Sequence, residues 1–253
     1  MPETAPINPL GQPFIELTEV DSSNNYAMQQ VKEGRAGHGS AFFAFNQFQG
    51  KGRRSKNWQS APGENIILSV IIDTIAFAGS PPFLLSMAMA CGVHQFLFSL
   101  TEKNFLIKWP NDIYFNDRKA AGILIENIYR GSTWQWAIVG IGINTNQEQF
   151  DPELANPVSL KQITSKRYQP EKAARTLCNF LETAYRQSLS NPEEIIHLYN
   201  LFLYKKNEIA RFKKNGTTIE CQVDSVDKFG QLKIIHPLLD HLQIDEVKWL
   251  IQH

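Results

Sequence analysis

Phe105-Leu106-Ile107-Lys108-Trp109-Pro110-Asn111-Asp112-Ile113-Tyr114-Phe115, then Asn116-Asp117-Arg118, then Lys119-Ala120-Ala121-Gly122-Ile123-Leu124-Ile125-Glu126 is the stretch on which the fold turns. Two apolar runs separated by a short polar segment rich in turn formers read as two strands joined by a tight turn. Lys108 is the unusual residue. It follows an apolar strand and precedes a Trp-Pro pair that fixes the backbone, so its amine can be aimed into a site rather than at bulk water. Downstream, Thr133 to Val139 reads as another strand, ending in Gly140-Ile141-Gly142-Ile143-Asn144-Thr145-Asn146, whose glycines allow a ligand close to the backbone. No Gly-x-Gly-x-x-Gly occurs, so nothing indicates a Rossmann dinucleotide site.

Upstream lies a second informative stretch, Gln47-Phe48-Gln49-Gly50-Lys51-Gly52-Arg53-Arg54-Ser55-Lys56-Asn57-Trp58. It joins a strand near Ala41 to Phe45 to another from Asn65 to Ile72, so it is expected as an exposed connection. Glycines let backbone N–H groups turn toward an anion, and Arg53 and Arg54 add charge-assisted, bidentate bonding. Taken alone, a solvated basic turn explains it equally well.

The remaining chain frames these two stretches. Residues 1–13 read as an extended surface segment and Phe14 to Leu17 as a short strand. Asp21-Ser22-Ser23-Asn24-Asn25 can cap a helix over Tyr26 to Val31. Pro81-Pro82 opens an apolar helix over Phe83 to Leu100, in which His94 is expected to be packed rather than catalytic. Asp151 to Ser165 reads as an irregular crossover. Pro170 opens a helix whose Ala173, Ala174, Leu177, Phe180, Leu181, Ala184 and Tyr185 form one apolar stripe, and a further helix follows Pro192. Beyond Tyr204 the apolar period becomes two, through Ile219, Cys221, Val223, the turn Asp227-Lys228-Phe229-Gly230, Leu232 and Ile234. This gives an α+β chain, with residues 1–203 as a mixed-sheet domain and 204–253 as a small β domain.

The 253 residues suit one sizeable core plus a small second domain. Charge is balanced, 25 basic against 25 acidic residues, which disfavours a protein that coats nucleic acid or an anionic membrane. Cys91, Cys178 and Cys221 are odd in number and widely spaced, which argues against a disulfide framework or a zinc site and for a reducing cytoplasm. The N-terminus has no basic start followed by an apolar block, and no apolar run is expected to reach the ~20 residues of a membrane helix.

Lys108-Trp109-Pro110-Asn111-Asp112, taken with the basic loop, resembles the biotin protein ligases, or biotin–[acetyl-CoA carboxylase] ligases. Asp21-Ser22-Ser23-Asn24 stands where that family has Asp-Ser-Thr-Asn, and Gly50 to Trp58 where it has Gly-Arg-Gly-Arg-x-Gly-Arg-x-Trp. Lys119 to Glu126 and Gly140 to Asn144 fill the next two motifs in family order, and the tail resembles the family's SH3-like β-barrel C-terminal domain. The resemblance implies the biotin/lipoate ligase catalytic fold. It also implies activation of biotin with ATP and Mg2+ to biotinyl-5′-AMP, then transfer to one lysine of a biotin carboxyl carrier protein, with no tightly bound prosthetic group.

Residue by residue, it implies that Ser22, Ser23 and Gln47 meet the ureido ring of biotin. Lys51, Gly52 and Arg53 close over biotin and the adenylate, with Lys108 beside them. Arg54, Trp58, Asn111 and Asn144 line the nucleotide. The chemistry agrees: a carboxylate and a triphosphate repel, so fixed positive charge is needed at the α-phosphate, and Lys108 and Arg53 are the catalytic candidates. Asp112 is a candidate to orient Lys108 or the incoming amine. No metal ligands can be read from the sequence, and a homodimer is compatible with it.

Two departures from the family pattern matter. Lys51 replaces an arginine, losing its planar fork, and Ser55-Lys56 replaces a Gly-Arg pair, so looser retention of the intermediate is expected. A biotinyl-AMP release rate unchanged by Lys51→Arg would count against that. Only about 20 residues precede the first motif, too few for a helix-turn-helix domain, so no DNA binding is expected. A lipoate or octanoate ligase or transferase is the rival on the same fold, though a bare acyl chain has no need of Ser22, Ser23 and Gln47. A nucleic-acid-binding module that stacks bases on Phe48 and Trp58 is the rival of another class. The basic loop is expected to be disordered or mobile without ligand.

Overall fold

The structure, a computed structural model, describes residues 8–154 and 156–250. In chain order it runs β1 (Phe14–Val20), α1 (Ser23–Lys32), β2 (Ala41–Gln47), β3 (Ile66–Asp73), α2 (Phe83–Thr101), β4 (Leu106–Lys108), β5 (Asp112–Phe115), β6 (Arg118–Arg130) and β7 (Thr133–Ile143). There follow α3 (Leu160–Thr164), α4 (Pro170–Ser190), α5 (Pro192–Leu201), β8 (Ile209–Lys214), β9 (Thr217–Val226), β10 (Leu232–Ile235), β11 (His241–Leu242) and β12 (Val247–Trp249). Strands β1 to β7 form one sheet in the order β1-β2-β3-β7-β6-β5-β4, parallel only between β1 and β2, where α1 makes the crossover. This is the mixed sheet expected of an α+β chain.

β3 explains why the sheet is central. Its run of apolar residues is buried on both faces, as a strand covered on both sides must be. Ile66, Leu68, Val70 and Ile72 face the main core with α2 and α4, while Ile67 and Ile71 face α1. Ser69 is the one polar residue among them, fully buried and on the α1 side. α2 carries no charged residue over its 19 positions, so by length and composition it would cross a membrane. That corrects the expectation that no apolar run is long enough. Here α2 is a core helix, with Leu85, Met87, Met89, Val93 and Phe96 inaccessible to water between the sheet, α4 and α5.

Three local readings change. The stretch from Phe105 to Phe115 is two short antiparallel strands rather than one, because the chain reverses at Trp109-Pro110-Asn111 and pairs Lys108 with Asp112. The crossover after Asp151 contains α3, whose N-terminus is a reciprocal capping box between Ser159 and Gln162. Of the N-terminal segment, residues 1–7 lie outside the described residues. Leu10 is buried rather than on the surface, its N–H donating to Glu182 at 2.9 Å.

β8 to β12 form a separate antiparallel sheet, order β11-β10-β9-β8-β12. Its Phe212, Val223, Leu232 and Leu242 join the same apolar cluster as α2. Polar contacts lock the junction. Asn200 exchanges two hydrogen bonds with Val226, at 2.9 and 2.6 Å, and the Trp109 indole donates to the Gly230 carbonyl at 2.9 Å. The Trp249 indole donates in turn to the Trp109 carbonyl at 3.0 Å. β12 is thereby fixed against the end of β4, next to Lys108.

Candidate active site

On the α1 side of the sheet, small residues line up across strands. Ser69 pairs with Gly140 and Gly142 with Gly122 in the strand registers. The glycines lie inside β7 rather than after it, and they make room for side chains of this chain. A Cβ on Gly140 would stand 2.3 Å from Asn24 Oδ1, and one on Gly142 2.3 Å from the Trp58 indole. The three glycines of this row, Gly122, Gly140 and Gly142, line the floor of a cavity of about 510 Å³, walled by α1, the 47–58 loop, the β4–β5 reversal and β12.

One end of the cavity is polar and preorganised. Ser22 occupies the N-cap position of α1, but no side-chain cap bond forms, so the capping expected of these serines is not their role. Ser69 Oγ lies 2.8 Å from Ser23 Oγ and 2.6 Å from Asn24 Oδ1. With one proton to give, Ser69 donates to the amide oxygen and accepts from Ser23. Asn24 Nδ2 donates to Glu126 at 2.9 Å, and the Ser23 N–H donates to Gln47 Oε1 at 3.3 Å. Ser22, Ser23, Asn24 and Gln47 are all buried. They present donors and acceptors from a helix N-terminus and a strand end, held by a second layer of hydrogen bonds.

The other end is cationic. Lys108 is only 8% exposed, with Nζ 5.0 Å from the Tyr114 ring centre and 5.2 Å from that of Trp249. Burial pulls its amine down to about 8, opposed by Asp112 and assisted by Lys119 and Lys56. Asp112 is Lys108's cross-strand partner, yet its carboxylate pairs with Lys119 at 2.7 Å. Asp112 therefore acts on Lys108 through its field and not through a bond. Asn111 ties the β4–β5 reversal to β6, donating to the Ile123 carbonyl at 2.5 Å. Asn144 donates to the carbonyls of Lys119 and Val158, at 3.2 and 3.3 Å, pinning the crossover at the cavity edge.

The basic loop closes the cavity. Its limbs pair through Lys51 and Asn57, with the Gly52 N–H donating to Lys56 at 2.7 Å and the Trp58 N–H to Gly50 at 2.8 Å. Lys51 Nζ stands 3.7 Å from Glu126. Arg53 and Arg54 both reach the β11–β12 turn: Arg53 donates to Asp245 at 2.8 Å, and Arg54 to the Ile244 carbonyl at 3.0 Å. The Trp58 ring lies along Gly142 and Gly122, its buried indole N–H finding no partner among the described residues.

All the residues singled out from the sequence border this one cavity: Ser22, Ser23, Gln47, Lys51, Gly52, Arg53, Arg54, Trp58, Lys108, Asn111, Asp112 and Asn144. Sequence reasoning missed Ser69, Lys119, Glu126, Asp245 and Trp249. Ser69 had a readable signal, a lone hydroxyl in a strand otherwise apolar on both faces. The others depend on strand register or on how the second sheet docks. Among the described residues, no three His, Cys, Asp or Glu side chains converge as a metal site would require.

Comparison with known proteins agrees with this architecture. The model of the biotin/lipoate A/B protein ligase family matches residues 17–144, just over half of the chain. A bifunctional ligase/repressor BirA of Bacillus spizizenii is 31% identical over 186 residues, covering 72% of this chain and 56% of that protein. A biotin–[acetyl-CoA-carboxylase] ligase of Paracoccus denitrificans is 30% identical over 169 residues, covering 62% and 66%. The chain thus spans about half to two thirds of the length of these curated relatives. A biotin protein ligase variant of Aquifex aeolicus, solved in complex with biotin, superposes with a TM-score of 0.78 at 23% identity, over 94% of this chain and 98% of that one. At that identity the likeness speaks for the fold. With the motifs in order along the matched segment and lining one cavity, the chain belongs to the biotin/lipoate A/B protein ligase family.

Proposed function

We propose that this chain activates biotin with ATP and transfers it to a lysine of a biotin carboxyl carrier protein. One observation carries the reading: a single cavity joins a buried neutral polar end, Ser22, Ser23 and Gln47, to a cationic end, Lys108 and Arg53. A ureido ring needs fixed donors and acceptors without charge. A carboxylate meeting a triphosphate needs fixed positive charge. A lipoate or octanoate ligase has no use for the first of these.

In the first half-reaction a biotin carboxylate oxygen attacks the α-phosphorus, and the bond to the bridging oxygen breaks as pyrophosphate leaves. Lys108 and Arg53 stabilise the negative charge on the α-phosphate, and Lys119, which lines the same cavity, adds to the positive field there. Mg2+ enters as part of the nucleotide co-substrate. In the second half-reaction the uncharged carrier amine attacks the acyl carbon, the mixed anhydride breaks, and AMP departs with the electron pair. The amide keeps the biotinyl group, and the amine's proton passes to solvent. No residue of the enzyme becomes acylated.

Residues 1–203 supply the catalytic unit and 204–253 an accessory β unit, a division supported by the two separate sheets. Three buried, unpaired cysteines support a reducing, cytoplasmic setting. The test is biotin-dependent ATP–pyrophosphate exchange, with lipoate and octanoate as controls. Exchange with biotin alone is expected, and exchange with lipoate but not biotin would overturn the reading.

A further inference from the structure

The mechanism uses Lys108 but leaves Trp249 unexplained, a tryptophan of the second sheet that faces the cavity of the first. Its ring centre lies 5.2 Å from Lys108 Nζ, 4.5 Å from the ring centre of Phe212 and 5.6 Å from that of Tyr204. Its indole N–H is committed to the Trp109 carbonyl, one residue beyond Lys108. Tyr114 on β5 supplies a second ring, its centre 5.0 Å from Lys108 Nζ, and is itself 5.4 Å from Tyr204. Among the described residues, no carboxylate comes within ion-pair distance of Lys108. The nearest, Asp112, is taken by Lys119. A buried ammonium without a carboxylate partner must be held in its charged form by other means, and the negative face of an aromatic ring is such a means.

We propose that Trp249 is a positioning residue for Lys108: through ring contact and its bond to the Trp109 carbonyl, the second sheet holds the phosphate-facing ammonium in place. The proposal rests on the biotin-activation reading for its kinetic consequences but not for its physical content, because the ring contact and the ionisation of Lys108 exist whatever the substrate. The groups that face Lys108 are Asp112 and Tyr114 on β5, Lys119 on β6, Lys56 on the basic loop and the Trp249 ring on β12.

The ring has two effects on the ammonium, opposed in sign. It excludes water, which disfavours the charge, and its quadrupole favours it. Replacements therefore separate them. Trp249→Leu keeps water out but removes the quadrupole, so Lys108 should lose its proton at lower pH than in the wild type. Trp249→Ala admits water, so it should lose the proton at higher pH. Trp249→Phe keeps a ring face and should return the titration most of the way. A side chain that merely filled space would not produce opposite shifts.

The experiment is performed on the full chain in two arms. In the first, lysines are reductively methylated with 13C-formaldehyde and titrated by NMR, the Lys108 resonance being identified by its loss in Lys108→Arg. In the second, biotin-dependent ATP–pyrophosphate exchange is followed across its alkaline limb. Opposite titration shifts in Leu and Ala are expected, with kcat for exchange lowered roughly 10- to 30-fold in Leu and recovered to within a few fold in Phe. If wild type shows no exchange but the titration shifts appear, the functional reading fails and the positioning role stands. Should Ala fail to fold, Leu against Phe still decides. An unchanged Lys108 titration in a folded Trp249→Leu chain overturns the proposal.

Discussion

Lys108 and the Arg53–Arg54 pair bring the same sign of charge to one cavity and are held there in opposite ways. Lys108 is buried beside two rings, at the end of a strand that β12 holds through the Trp249–Trp109 hydrogen bond. Arg53 and Arg54 ride on a loop and lean on Asp245, whose side chain is 78% exposed. The first arrangement costs stability and is ready before any ligand arrives. The second is weak, because an exposed ion pair contributes only about 0–1 kcal/mol, and a phosphate can displace the carboxylate. The proposed activity calls for both: a charge that does not reorganise during the reaction, and one that is free to leave its partner as substrates enter.

The sharpest way to break the contrast is Lys108→Ala. Loss of a preorganised, water-excluded charge should lower kcat for pyrophosphate exchange by about 10²- to 10³-fold with a smaller change in the KM for biotin. Next is the cost of that charge. The Lys108 pKa falls from 10.5 to about 8, so between those values the unfolded chain binds more protons and stability rises with pH. Burying the charged amine therefore costs on the order of 3 kcal/mol below pH 8 and nothing above pH 10.5. Lys108→Met should unfold at higher denaturant than wild type, by a margin widest below pH 8 that closes toward pH 10.5. A constant margin would show that the folded site does not discharge the lysine.

Arg53→Ala should lower exchange roughly tenfold, less than Lys108→Ala because Arg53 is tied to an exposed carboxylate rather than buried, and should leave unfolding within ~0.5 kcal/mol of wild type. Smallest of all is Asp245→Asn. Exchange should change less than about fivefold, while limited trypsin should cut faster after Arg53, because its charged anchor is gone while Arg54 keeps its bond to the Ile244 carbonyl. Equal trypsin rates would mean that the Asp245 contact does not hold the loop.

How much of this was readable from sequence follows the same division. α2 and α4 were legible almost to the residue because long apolar runs and stripes opened by proline have few alternatives. The residues of the polar and cationic ends were legible through their motifs. What escaped depends on pairing in space. The Pro110-Asn111-Asp112 turn formers mark a break in the run from Phe105 to Phe115, but they do not say that its two halves pair with each other. Asp112 meets Lys119 because β5 pairs with β6 so that Tyr114, two residues from Asp112, stands opposite Lys119. Trp249 lies 141 positions beyond Lys108, and no periodicity links two sheets.

The Trp58 indole, laid along Gly142 and Gly122 with its N–H buried and unpaired among the described residues, makes the cavity floor its own optical probe. An indole in that setting emits toward the blue, and any molecule that fills the cleft or opens the loop changes its solvent and its neighbours. The proposed nucleotide binding can thus be tested on unlabelled chain by intrinsic emission, with Trp58→Phe supplying the difference spectrum that separates this ring from Trp109, Trp134, Trp136 and Trp249.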